Sequence, residues 1–176
     1  MYSKIAFAAL VIVLIAVNYS IFKKERHLSE GRVVYLELAP VDPRSLMQGD
    51  FMALRFRVAE QVRQALPKLE KRRRWQHDID AQDGYAVVVL DQRGVASFKR
   101  LHGDEALSDS ELLLRYRVRN NAVKFATNAF FFQEGTAQVY TSARFGQFRV
   151  DNSGELLLAG MYDKDLVRLV PPEQAD

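Results

Sequence analysis

The chain has 176 residues, of which 48% are hydrophobic and 27% charged, with a formal net charge of +3 and no cysteine. That length holds one domain of ordinary size plus an anchor. The small net charge argues against a dedicated nucleic-acid binder, and the absence of cysteine excludes disulfides, thiol catalysis and cysteine-ligated metals.

The first predicted element is the uncharged run IAFAALVIVLIAVNYSIF, Ile5–Phe22, closed by Lys23, Lys24 and Arg26. At roughly 18 residues it is just long enough to cross a bilayer as a helix. It is apolar all round, which argues against a buried helix of a soluble protein. The other reading is a cleaved signal peptide, but Val17-Asn18-Tyr19-Ser20 makes a poor cleavage site. We therefore expect residues 1–24 to form an uncleaved anchor holding the chain in the bilayer through Ile5–Phe22. Residues 25–31 read as a linker, 32–172 as the folded domain and 173–176 as a tail. Lys4 before the span and Lys23, Lys24 and Arg26 after it lean weakly toward a cytoplasmic domain.

Arg32–Ala39 reads as a strand stopped by Pro40, and Phe51–Val58 as a second. In the second, Met52, Leu54, Phe56 and Val58 alternate with Arg55 and Arg57, so the two sets point to opposite faces. Ala59–Leu66 is a short helix ended by Pro67. Lys68–Gln76 is a charge run around Trp75, read as a solvated loop with anionic lipid as its alternative contact. Gly84–Asp91 and Val95–Leu101 form a hairpin around Gln92-Arg93-Gly94. Leu112–Val118, with Leu112, Leu114, Tyr116 and Val118 inward, turns at Asn120-Asn121 into Val123–Ala126. Phe130–Phe132 is an aromatic cluster, expected in the core, and Gly135–Phe145 is either helix or strand. Gly146–Val150 and Glu155–Met161 pair around Asn152-Ser153-Gly154, and Leu166–Val170 adds a closing edge. The expected class is mainly β (α+β): an N-terminal transmembrane helix, then a mostly antiparallel β-rich domain with one or two peripheral helices.

The polar residues concentrate in the corner PVDPRSLMQGD between the first two predicted strands. Asp42 before Pro43 initiates a turn, Gly49 reverses the chain, and Asp50 can cap the turn or pair with Arg44. An architectural corner accounts for all of them, and a docking site is the alternative. The stretch faintly resembles the signal-peptidase pattern, but Ser45 follows Pro43 instead of preceding it, which places a hydrolase third among the readings. His77–Gly84 gathers acids, yet Asp83 occupies the glycine slot of a calcium loop and Val89 its glutamate slot. His27, His77 and His102 lack zinc spacing, so neither a metal nor a cofactor is expected. Arg55, Arg57, Arg115, Arg117 and Lys124 form one basic face if their strands are neighbours. Glu134, beside the aromatic cluster, is expected to pair with one of those arginines.

Gly49-Asp50-Phe51-Met52-Ala53-Leu54-Arg55-Phe56 resembles the motif of the GDYXXLXY family of bacterial membrane-associated proteins, with phenylalanine at both tyrosine positions. Val41–Leu46 resembles the family's lead-in, and Asn128–Gly135 its aromatic-Glu-Gly segment. The resemblance spans about residues 32–170 and implies an anchored domain on the periplasmic side of the inner membrane, beside multispanning membrane proteins. The leading expectation is an accessory module that docks on such a protein through Asp42, Pro43, Arg44, Gly49, Asp50, Leu54, Glu134 and Gly135. The second is a sensor or binder of an anionic small molecule or glycan.

Overall fold

The computed structural model describes residues 2–39, 47–48, 51–67 and 81–171. Helix α1 covers Tyr2–Glu30 and is followed by β1, Arg32–Glu37. The segment 25–31, expected to be a linker, instead continues the helix to Glu30. Strands β2 (Met47–Gln48) and β3 (Phe51–Ala53) precede helix α2, Arg57–Ala65. Then come β4 (Gln82–Leu90), β5 (Ala96–Leu101), β6 (Glu111–Arg119), β7 (Ala122–Lys124) and β8 (Ala129–Phe131). A 3₁₀ turn, Ala137–Ser142, resolves the helix-or-strand ambiguity of that stretch and leads into β9 (Phe145–Val150) and β10 (Leu156–Tyr162). Leu166–Val170 contributes one isolated bridge, Tyr162 to Arg168, in place of the expected strand.

The strands form three antiparallel sheets: β1-β9-β10, β5-β4-β6-β7 and the small β2-β3-β8. The class is the expected α+β, mainly β, behind one long apolar helix. The two larger sheets are tied at two places. Tyr35 N–H donates to Gly94 O at 2.9 Å, and Arg115 N–H donates to Gly154 O at 2.8 Å. Between them lie Val34, Leu36, Phe148 and Met161 from one sheet and Ala86, Val88, Leu114, Tyr116 and Val118 from the other. Leu112, Leu114, Tyr116 and Val118 share the inward face of β6, as their alternation predicts.

The expected strand over residues 51–58 stops at Ala53, and a helix begins at Arg57. The physical reason is a shared residue. Val58 completes the alternating set Met52, Leu54, Phe56, but it also opens the helical set Val58, Ala59, Val62, Leu66, all buried. The helix wins because it can lay that second set against β5, β7 and β1. Phe56 then caps the helix start in extended backbone and packs edge-to-face on Phe148 at 5.3 Å.

Three turns share one construction. Asp91, Asp151 and Asp163 each accept, through Oδ1, the backbone N–H groups two and four residues on. In each, the carbonyl of the aspartate also accepts the N–H three residues on. That third residue has positive φ: Gly94 at 80°, Gly154 at 78° and Leu166 at 61°. Glycine takes this conformation without steric cost, whereas leucine does not.

Candidate functional site

Three places could carry function: the motif corner, the basic face and the junction between α1 and the domain. At the corner, Asp42, Pro43, Arg44, Gly49 and Asp50 lie outside the described residues, as do Lys68–Asp80 with Trp75 and His77. The described part of the motif divides into a buried and an open half. Leu54 and Phe56 are buried in the core. Phe51 sits opposite Phe131 in the β3–β8 register, with ring centroids 5.9 Å apart. Phe131 is 74% exposed, an unusual position for a phenylalanine. Phe130, on the same strand, meets Tyr140 edge-to-face at 5.0 Å, and Phe132, just past its end, stacks on that ring at 5.2 Å. The expected core role thus suits Phe130 and Phe132, while Phe131 points outward.

Glu134 and Gly135 form an exposed turn, with Gly135 at φ 81°. The expected pairing of Glu134 with an arginine of the basic face does not occur among the described residues, because the exposed turn leaves its carboxylate in water.

The basic face is split. Arg55 lies in the coil after β3 and Arg57 opens α2, so neither is on a strand beside Arg115, Arg117 and Lys124 of β6 and β7. Arg57 pairs with Glu37 at 3.0 Å. Arg117 and Lys124 do lie opposite each other, on β6 and β7. Arg115 reaches Asp83 at 3.3 Å and also bonds Glu155, while Arg119 Nη2 lies 2.9 Å from Asp83. Partial burial works against the Asp83 carboxylate, but Arg119 and then Arg115 outweigh it and hold its pKa below the ordinary range. Facing acids therefore neutralise much of this surface, leaving Arg117 and Lys124 without an acidic partner among the described residues.

Two interactions escape any reading of sequence spacing. Glu111 is the first: its side chain is only 3% exposed, with Lys99 Nζ at 2.8 Å and Arg100 Nη2 at 3.2 Å. Ser108 N–H donates to it as well, at 3.0 Å. Lys99, then the Ser108 amide, bring its pKa down to about 2. The cluster closes the loop between β5 and β6.

The second is the junction. His27 is the one residue in the last turns of α1 that is not exposed, and its side chain is 7% exposed. Its Nε2 donates to Arg149 O at 2.9 Å, and its Nδ1 faces Asp151 at 3.9 Å. Arg149 Nη1 donates back to Gly31 O at 3.1 Å. Gly31 N–H closes the helix on His27 O at 3.0 Å. A Cβ at Gly31 would fall 2.5 Å from His27 O and 2.9 Å from Arg149 Cβ. The contact joins residues 122 apart in sequence, so only the fold reveals it. Residues 4–30 form a helix long and apolar enough to cross a membrane by length and composition. Among the described residues, no three metal-capable side chains converge.

The family model of the GDYXXLXY protein matches residues 13–161. The chain belongs to the GDYXXLXY family. No curated protein and no solved structure matches the chain. The GDYXXLXY match begins inside α1 and runs through the junction, both larger sheets and the motif strand. The turn at Leu166 lies beyond it.

Proposed function

We propose that this GDYXXLXY protein is a single-pass, uncleaved membrane-anchored accessory module whose β-rich domain docks on a multispanning membrane protein. The domain lies on the periplasmic side of the inner membrane, the orientation the family resemblance implies. The observation that carries the proposal is the junction. An exposed apolar helix runs without a break into the domain and is clamped there by His27, Gly31 and Arg149. A domain held that way keeps a defined pose at the bilayer, which suits recognition of a fixed neighbour.

The docking face is the small sheet. Its motif strand places the half-buried Phe51 beside the exposed Phe131, and an exposed aromatic backed by a second ring suits a protein contact. This sheet joins the chain beyond the far end of β1 from Gly31, past Leu38 and its bridge to Phe56. Six residues of strand separate the two ends, about 20 Å.

The test is capture from native membranes after mild crosslinking, with tagged full-length protein compared with Phe131→Ala and Asp50→Ala. A discrete multispanning partner should be recovered with the native chain and fall about tenfold or more with Phe131→Ala, as for a hot-spot aromatic. Phe131→Ala should leave thermal stability nearly unchanged, since the ring is exposed. Equal recovery with all three proteins would remove the small sheet as the docking face, and recovery of no partner would remove the accessory reading.

A further inference from the structure

Helix α1 carries one amide, Asn18, within its apolar run. Val11, Ile15, Asn18 and Phe22 recur at spacings of four, three and four, the seam of a left-handed helix pair. With Leu14 and Tyr19 they line a shallow apolar hollow on the helix surface. Asn18 is the polar residue in this hollow. One of its amide N–H groups donates to Leu14 O at 2.8 Å. No donor among the described residues meets its Oδ1, and its second N–H is likewise left over. Exposed to lipid, those groups would be unsatisfied.

The junction fixes which side of the helix faces the protein's own domain. Nine residues separate Asn18 from His27, about two and a half turns, so they lie on opposite sides. Because His27 is buried against β9, the domain sits behind the helix and the Asn18 face looks away from it. Ala16 and Ser20 fall on the His27 side.

We infer that the Val11-Ile15-Asn18-Phe22 face of α1 binds the same face of a second copy of this chain, forming a parallel two-fold pair within the bilayer. The inference rests on the anchor reading above. A second copy is favoured over another protein for two reasons. Every copy enters the bilayer by the same end, so two helices run parallel and their Asn18 residues share one depth. The asparagine amide is also self-complementary: the spare N–H of each donates to the Oδ1 of the other, satisfying both across the two-fold axis. The domains, lying behind the helices, do not obstruct the approach.

The chain lacks cysteine, so single cysteines can be placed without background. Full-length variants with one cysteine at each position from 11 to 22 are oxidised in native membranes, and dimer is read on non-reducing gels. Intact mass of the membrane-bound chain is measured alongside. Dimer should peak for Val11→Cys, Ile15→Cys and Phe22→Cys and be lowest for Ala16→Cys and Ser20→Cys. Adding Asn18→Leu to Ile15→Cys should reduce the dimer about threefold to tenfold, and Asn18→Gln should restore part of it. An intact helix with no periodic crosslinking, with peaks at Ala16 and Ser20, or with crosslinks only to a different protein would overturn the pairing and leave the anchor standing. A mass showing that the helix has been removed would overturn both.

Discussion

At the scale of single residues, two positions show how local chemistry settles stability. Glu111 carries a buried charge that two cations and one amide neutralise, and removing one member strands the others. Its folded pKa of about 2 lies below the ordinary 4.5. The stabilisation it supplies is therefore present above about pH 4.5 and is lost as pH falls from there toward 2. Glu111→Gln should lower the melting temperature at pH 7 and flatten the acid limb of stability against pH, measured by circular dichroism. Leu166 holds the left-handed position that Gly94 and Gly154 occupy in the two sister turns. Leu166→Gly should therefore stabilise the chain by about 0.5–1 kcal/mol, and Gly154→Ala should cost at least about 1 kcal/mol, both measurable by urea unfolding. Gly94 and Gly154 at these turns were legible as hairpin punctuation, whereas the closing roles of Asp91 and Asp151 appeared only with the fold. Nor was Glu111 legible, since its partners come from another strand and from a loop.

At the scale of elements, α2 and the α1 junction show what sequence period leaves undecided. Val58 fits a strand and a helix equally, and the choice fell to the sheet that could receive Val62 and Leu66. Val62→Ala should cost about 1–3 kcal/mol, because the side chain is fully buried between α2 and the sheets. At the junction, residues 25–31 were expected to be a linker, and the backbone instead continues as helix to Glu30. Lys23, Lys24, Glu25 and Arg26 are all good helix formers, and His27 supplies a tertiary contact that holds the last turn in place. Gly31→Ala should loosen this joint: the added methyl meets a backbone carbonyl, at a cost of about 1–3 kcal/mol. Limited proteolysis after Lys23 to Arg26 should be faster in that variant.

For the whole molecule, the core closes without the apolar part of α1, because none of the buried core residues comes from that helix. A chain beginning at Lys23, which keeps His27 and Gly31, should fold and unfold cooperatively in water. Loss of cooperative unfolding would show that the span is part of the folding unit. Sequence by itself determined the apolar span, the antiparallel hairpins, the inward face of β6 and the family motif. These depend on periodicity and turn chemistry, which act between residues close in the chain. Only the tertiary structure decided that Arg55 and Arg57 lie apart from Arg115 and Arg117, that Phe131 faces outward, and that His27 seats the helix on β9. Each of those depends on which distant strands become neighbours, and a local pattern that can serve two partners is settled by the partner that the closed core supplies.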